Sequence, residues 1–364
     1  MTVAIINDFP PYTGLGNYAF SVFDEFKKRR RPVEMLYLEN KNRLEKYGED
    51  IKPIRTPYAL PFLSKSFNSY FYFPKHLPDG YELYHAANQF IARCAACNKP
   101  SIVTCLDIIP IVRKRDYPIS VWLLLELAMK QIRSAGRVIA ISEHTKRDLM
   151  LHIGIPEGRI EVIPLGFNPE IFRPMDKKKA RRLLGLDEDA VIVLNVGSGE
   201  KRKNIPTLLK AFAIFKKEFP DAMLVRIGEE TQENIRLARE SGIIGDMAFF
   251  HIKDKKRLAL FYNSADLFVF PSLYEGFGMP PVEALACDVP TVVADATSLP
   301  EAVGNAAALV KPLDSEAYAG AMAEIMNSHS YRKSLIAKGR KQARKFEWEK
   351  IADATWKVYE EALR

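Results

Sequence analysis

Cysteine is scarce, with four in 364 residues, which excludes a small fold stapled by disulfides. Cys94 and Cys97 have the spacing of a metal-binding pair, but no second cysteine pair and no histidine pair follows at zinc-ribbon distance. Packed, reduced thiols are expected. Long apolar runs are missing too. No stretch of eighteen apolar residues occurs, so a membrane-spanning helix is not expected. Met1-Thr2-Val3-Ala4-Ile5-Ile6 enters a strand-like run without the basic start and cleavage site of a secretory leader. A cytoplasmic location follows as an expectation. The net charge of +8 would suit nucleic acid, yet no recognised nucleic-acid-binding module accompanies it, and no nucleic-acid partner is expected. The densest basic run, Lys27-Lys28-Arg29-Arg30-Arg31, follows Phe20, Val22, Phe23 and Phe26 as the last turn of a helix would, where cations meet the negative end of the dipole. A solvated helix end is the first reading of that run and an anionic lipid surface the second.

What the chain has in quantity is alternation. Short β-branched or apolar runs at residues 3–6, 33–37, 83–85, 102–105, 138–141 and 160–163 are separated by longer amphipathic stretches. The pattern repeats at 191–196, 223–227, 248–251, 267–270, 291–293 and 307–310. Strands alternating with helices predict an α/β fold of two Rossmann-like, doubly wound parallel-sheet domains. Ile205, Leu208, Leu209, Phe212 and Phe215 follow helical spacing and predict one buried stripe. Two prolines without clear periodicity between Phe167 and Pro174 mark the boundary. The expected division is residues 1–168, residues 169–345, and a last helix at 346–364. Residues 59–75, aromatic with interspersed lysines, read either as a loop packed on the first domain or as a contact with a membrane interface or a lipid-linked acceptor.

The chemistry-bearing segment is Tyr274-Glu275-Gly276-Phe277-Gly278-Met279-Pro280-Pro281-Val282-Glu283-Ala284-Leu285-Ala286. The apolar run before it, Leu267 to Phe270, reads as a buried strand, which places Glu275 and the glycines at a strand's carboxyl end, where open α/β sheets bind ligands. Glycines there let backbone amides approach a ligand closely, and the helix that follows offers unpaired N–H groups to a phosphate. Pro280 and Pro281 suit a first helical turn, and Glu283 is expected inside that turn. Two carboxylates so spaced can address the two ends of a sugar diphosphate, one at the sugar and one at the ribose. The plain alternative is a strand-to-helix connection with a carboxylate stabilised by the dipole.

The same segment, with Ala265-Asp266, Pro290-Thr291-Val292-Val293 and Leu299-Pro300-Glu301-Ala302-Val303-Gly304, resembles the donor domain of retaining glycosyltransferases of family 4. The resemblance extends to Gly14-Leu15-Gly16-Asn17-Tyr18, to Val138 through Lys146, to Ile163 through Phe167, and to Val196-Gly197-Ser198-Gly199-Glu200-Lys201-Arg202-Lys203-Asn204. It implies the GT-B fold, two Rossmann-like domains facing across a cleft, with the last helix crossing back to the first. It also implies transfer of a hexose from a nucleotide sugar, GDP-mannose favoured and a UDP-hexose second, to a glycan or lipid-linked acceptor, with no obligatory metal. A peripheral contact with the inner membrane face would accompany a lipid-linked acceptor. By the same resemblance Arg202 and Lys203, beside Gly197, neutralise the diphosphate, Glu275 lies near the transferred sugar, and Glu283 binds ribose hydroxyls. The amides of Phe277, Gly278 and Met279 contact sugar and phosphate, and Gly14 and Gly16 bring the first domain near the diphosphate and acceptor.

Two departures from the pattern stand out. Ser198 replaces an arginine, which makes Lys203 the firmer diphosphate ligand, and Leu106-Asp107 replaces a His-Asp pair. Asp107 then remains as the acceptor-side polar group, and His85 is either a second such group or a structural histidine. Asp187-Glu188-Asp189 has the Asp-x-Asp spacing of the metal-dependent GT-A enzymes, but it falls between a leucine-rich helix and a strand, where acidic turn residues are ordinary. A nucleotide-sugar epimerase, a phosphorylase or a non-catalytic partner in glycan assembly are the competing functions, since one fold hosts many reactions.

Overall fold

The computed structural model describes residues 2–39, 50–55, 71–96, 98 and 100–364, without the side chains of Ser120 and Leu124. Cys97 and the larger part of the aromatic stretch at 59–75 lie outside these residues. The chain divides into two compact units: Met1–Gly166 together with Trp348–Arg364, and Phe167–Glu347.

In the first unit the described strands are β1 (Val3–Asn7), β2 (Val33–Glu39), β3 (Ile51–Arg55), β4 (Leu83–Ala86), β5 (Ser101–Cys105), β6 (Arg137–Ala140) and β7 (Ile160–Val162). They form one sheet in the order β3-β2-β1-β4-β5-β6-β7, parallel throughout. Every residue of β1, β4 and β5 is buried, as expected of parallel strands covered on both faces. The helix Gly14–Lys28 follows β1, and Lys27 and Lys28 form its last turn. Arg29, Arg30 and Arg31 lie beyond it, so the basic run only begins in the helix. The helix Trp348–Ala362 belongs to this unit. Its Trp356 packs edge-on against Phe26, with ring centroids 5.2 Å apart, and its Tyr359 hydroxyl lies 2.6 Å from His85 Nδ1.

The second unit has β8 (Val191–Val196), β9 (Ala222–Ile227), β10 (Met247–Phe250), β11 (Leu267–Phe270), β12 (Thr291–Ala294) and β13 (Ala308–Val310), ordered β10-β9-β8-β11-β12-β13 and again parallel. The helix Ile205–Phe215 buries Ile205, Leu208, Leu209, Phe212 and Phe215, the stripe that its spacing predicts. At the amino end of β11, Asp266 is buried among cations. Its Oδ1 lies 2.6 Å from Lys177 Nζ and 3.5 Å from Arg332, and its Oδ2 lies 2.6 Å from Arg181. Oδ2 also accepts the Ile192 amide at 2.9 Å, which ties this strand end to β8. Among the described residues no helix is long and apolar enough to cross a membrane.

Candidate functional site

In each sheet the strand order reverses once, and ligands of open α/β sheets bind outside the carboxyl ends of the two strands at that point. In the second unit those strands are β8 and β11. The loop after β8 carries Gly197 to Asn204, and the loop after β11 carries Pro271 to Gly278. The two are knit together by backbone and side chain. Leu273 donates its amide to the Arg202 carbonyl at 2.7 Å. Asn204, in a left-handed conformation, donates its side-chain amide to the carbonyls of Pro271 and Pro312 at 3.0 and 2.6 Å.

This knitting brings three candidate residues into contact. Lys203 Nζ donates to Glu275 Oε1 at 2.6 Å and Arg202 donates to Glu275 Oε2 at 3.0 Å. Ser272 Oγ also donates to Glu275 Oε1 at 2.6 Å. Lys203 Nζ stands 4.9 Å from the centre of the Phe270 ring, a second favourable surface for a cation. Burial pushes the Glu275 carboxyl up, but Lys203, Arg202 and the hydrogen bonds outweigh it and hold the group below its ordinary range. Glu275 is therefore an anion clamped between two cations. Any ligand anion entering here competes with it for them.

The Gly-Phe-Gly turn is held from behind by Ser298, whose hydroxyl donates to the Glu275 and Phe277 carbonyls, each at 2.9 Å. Gly278 has φ +117, and a Cβ on it would lie 2.7 Å from Leu299 Cδ2. Backbone conformation and space together require glycine. The helix Met279–Ala286 starts immediately after it, with prolines in the first turn. Glu283 is the fifth residue of that helix, so it lies in the second turn, not the first. It is half-buried and accepts a hydrogen bond from the Tyr262 hydroxyl at 2.8 Å. Burial raises its pKa to about 7, against the opposing pull of Tyr262 and Lys255.

In the first unit the reversal falls between β1 and β4. Asn88 donates there to Asp8 Oδ1 at 3.0 Å, both residues being buried. Gly16 lies in the first helical turn, where a Cβ would sit 2.0 Å from the Pro10 carbonyl oxygen; Gly14, which starts the helix, faces open space. The pair therefore forms a helix start, not a loop. Asp107 is partly exposed beyond β5, and its Oδ1 accepts the Ile109 amide at 3.1 Å. Leu106, where a histidine was the pattern, is buried and donates its amide to Gln89 Oε1 at 3.1 Å.

For His85 the sequence leaves two readings, an acceptor-side group or a structural histidine. It is fully buried, with Nδ1 2.6 Å from the Tyr359 hydroxyl and Nε2 2.8 Å from Thr104 Oγ1, which in turn lies 2.9 Å from the Tyr18 hydroxyl. Burial lowers its pKa to about 3. Both ring nitrogens are thus engaged inside the core, as those of a structural histidine would be.

The Asp187 to Asp189 segment forms an acidic turn, with Asp187 Oδ1 accepting the Asp189 amide at 2.9 Å. Cys94, Cys105 and Cys287 are all buried.

Comparison with known proteins adds two family matches in sequence. The family described as "Glycosyltransferase Family 4" matches residues 12–171, and "Glycosyl transferases group 1" matches residues 176–342. Between them they take in most of the chain. The chain belongs to the group 1, family 4 glycosyltransferases. Its curated relatives include the serotype-specific mannosyltransferase WbdA of Escherichia coli, 29% identical over 69% of this chain and 32% of that protein. Another is the D-inositol 3-phosphate glycosyltransferase 2 of Catenulispora acidiphila, 31% identical over 64% of this chain and 57% of that protein. The matched stretch thus spans about a third to somewhat over half of these relatives. The chain also resembles solved structures over nearly its whole length. The sucrose-phosphate synthase of Thermosynechococcus elongatus gives a TM-score of 0.80 at 24% identity, covering 99% of this chain and 98% of that one. HepE of Anabaena, in complex with UDP and glucose, gives 0.78 at 18% identity, covering 99% of each chain. The fold is accordingly GT-B, built on Rossmann-like parallel sheets.

The chain carries supporting residues that the sequence pattern did not single out. Ser272, Asn204, Ser298 and Tyr262 each fix a candidate residue or its loop, and Asp8 and Asn88 meet at the reversal in the first sheet. Lone serines and asparagines leave no periodic signal, and only the strand order shows that Asp8 and Asn88 are neighbours.

Proposed function

We propose that this glycosyltransferase moves a hexose from a nucleotide diphosphate sugar to a glycan or lipid-linked acceptor, with retention of anomeric configuration. The observation that carries the reading is the convergence of Arg202, Lys203 and Glu275 at the strand-order reversal of the second sheet. Two cations on a buried carboxylate are equipped to exchange it for a diphosphate, Arg202 by forked hydrogen bonds and Lys203 as a point charge. As the bond from the anomeric carbon to the phosphate oxygen breaks, these cations meet the charge that grows on the leaving group. No divalent ion is then required. Glu275 is left beside the transferred sugar. Glu283 accepts from the ribose hydroxyls, and the amides of Phe277, Gly278 and Met279 donate to sugar and phosphate oxygens. Gly14, Gly16 and Asp107 are assigned to the diphosphate-facing and acceptor side. The acceptor oxygen bonds on the face that the phosphate leaves, and its proton passes to the departing phosphate oxygen. His85 takes no part, which leaves Asp107 as the candidate base for the inverting alternative.

GDP-mannose is the favoured donor, because the Escherichia coli relative is by name a mannosyltransferase. A UDP-hexose is second, since HepE was solved with UDP and glucose. The cytoplasm is the assigned location, at the inner membrane face where the acceptor is lipid-linked. Supporting that placement, the helix Ile119–Ile132 leaves Ile119, Leu123 and Leu127 exposed at helical spacing, with Lys114 Nζ 4.4 Å from the Trp122 ring. Leu106 in the place of a histidine favours a binding-only protein as the second reading; donor hydrolysis or transfer by the purified chain separates the two.

Lys203→Ala is expected to weaken nucleoside diphosphate binding by about 1.5–3 kcal/mol, the loss of a charge-assisted contact. Calorimetry on the folded variant checks this, and an unchanged affinity removes Lys203 from the site. The first product formed from an α-linked donor is expected to be α-linked. Proton NMR taken before equilibration reads the anomeric centre, and a β-linked product overturns retention.

Glu283 supplies a pH test. With a pKa of about 7 in the empty site, it is protonated below neutrality and ionised above, and only the ionised form accepts hydrogen bonds from both ribose hydroxyls. Affinity for a nucleotide sugar, whose esterified diphosphate keeps its charge in this range, is expected to rise by about tenfold from pH 6 to pH 8. Glu283→Gln should bind weakly and without that rise. A pH-independent wild type contradicts the ribose assignment. The same raised pKa acts oppositely on the empty fold: its contribution to stability is complete below the unfolded value of 4.5 and is lost as pH rises through about 7.

A further inference from the structure

Arg226 occupies the next-to-last position of β9 and is fully buried, the largest side chain so enclosed among the described residues. Its strand neighbours Leu224, Val225 and Ile227 are apolar and buried. Burying a guanidinium costs several kcal/mol in desolvation, and a buried ion pair replaced as a whole by apolar side chains of similar volume is commonly as stable or more so. Stability alone therefore gives no reason for an arginine here.

Its contacts do. Nε donates to Glu230 Oε1 at 2.7 Å, and a second nitrogen lies 2.6 Å from the same oxygen. Another guanidinium nitrogen donates to Asn195 Oδ1, and Asn195 donates its own side-chain amide to the Val269 carbonyl at 2.6 Å. The guanidinium also reaches the Gly197 carbonyl at 3.4 Å. These bonds cross the carboxyl ends of β9, β8 and β11, the last two being the strands that border the reversal. Gly197 lies between this brace and Lys203, for a Cβ built on it would rest 3.4 Å from Lys203 Cδ. The Gly197 carbonyl is confined from the other side by Gly228, where a Cβ would come within 2.0 Å of it.

We propose that Arg226, acting through Asn195 and the Gly197 carbonyl, is a positioning residue that sets the Gly197–Gly199 turn and the stem of Lys203 for a diphosphate before the ligand arrives. The inference rests on the nucleotide-sugar reading of this site. Arg226 touches no ligand; it reduces the ordering that binding would otherwise require.

The experiment titrates GDP, UDP, guanosine and uridine into the full chain as wild type, Arg226→Met, Arg226→Lys and Lys203→Ala, and follows unfolding of each. Arg226→Met leaves the Glu230 carboxylate without its cation, so it should unfold at a lower midpoint than the wild type, and it should bind the preferred nucleoside diphosphate about tenfold more weakly, with affinity for the bare nucleoside unchanged. Arg226→Lys keeps the charge facing Glu230 but cannot span Asn195 and Gly197 together, so it should lose about threefold for the diphosphate alone; it carries the test if the methionine variant does not fold. Equal losses for nucleoside and diphosphate, or no loss in either Arg226 variant while Lys203→Ala loses diphosphate affinity, overturn the positioning role. A Lys203→Ala protein that binds diphosphate like wild type overturns the underlying reading instead.

Discussion

Glu275→Gln is expected to lower the stability of the empty protein by about 3–5 kcal/mol, because it leaves two half-buried cations facing a neutral amide. The glutamine keeps the volume and can still accept from Ser272, so the loss is one of charge. A nucleoside diphosphate supplies the missing anion. It should therefore raise the melting temperature of the variant by more than that of the wild type, although the variant starts lower. Turnover should fall by about a hundredfold or more, since the residue is assigned to the transferred sugar. Thermal unfolding with and without GDP or UDP, together with initial rates at saturating donor, checks both arms. Wild-type turnover at saturation would remove Glu275 from the sugar, and an unchanged melting temperature would show that the cations do not depend on it.

The second large effect is expected away from the site. Asp266→Ala removes the one carboxylate shared by Lys177, Arg181 and Arg332, and it leaves Arg181, of which 3% is exposed, without its acidic partner. About 3–5 kcal/mol should be lost, read as an earlier urea midpoint with an unchanged slope. A loss under about 1 kcal/mol would place the cluster among surface ion pairs. In the wild type, burial pushes the Asp266 carboxyl up, but Lys177, the Ile192 amide and Arg181 outweigh it and hold the pKa below the usual value. The stabilisation is thus present above the unfolded value of 3.8 and lost as pH falls through the lower folded value.

Much of the fold was legible because parallel strands covered on both faces read as short β-branched runs, and β1, β8 and β11 are such runs. β3 was not legible. Ile51-Lys52-Pro53-Ile54-Arg55 is polar in part and contains a proline, which only an edge position tolerates, and β3 is the edge of its sheet. At the site, the spacing of Gly197, Arg202, Lys203, Glu275 and Glu283 marked the candidates, but not that Glu275 lies directly on both cations. That contact depends on β8 and β11 pairing across 70 residues of intervening chain, which no local pattern records. Glu283 was expected one turn too early because Gly278 precedes the helix and Met279 starts it. His85 sits at a strand end, the usual position for a site residue, yet the β4 register turns its ring toward Thr104 and Tyr359. Arg226 escaped notice because a single arginine in an apolar strand has no period to report.

The C-terminal helix Trp348–Ala362 fixes an order of assembly on the ribosome. The second unit is one continuous stretch whose ends meet, the Phe167 amide donating to the Phe346 carbonyl at 2.8 Å, so all of it is synthesised before that helix exists. Until then the nascent first sheet lacks Tyr359 against His85 and Trp356 against Phe26. The half made first is thus finished last, and it must wait with part of its core uncovered while its neighbour is translated and folds.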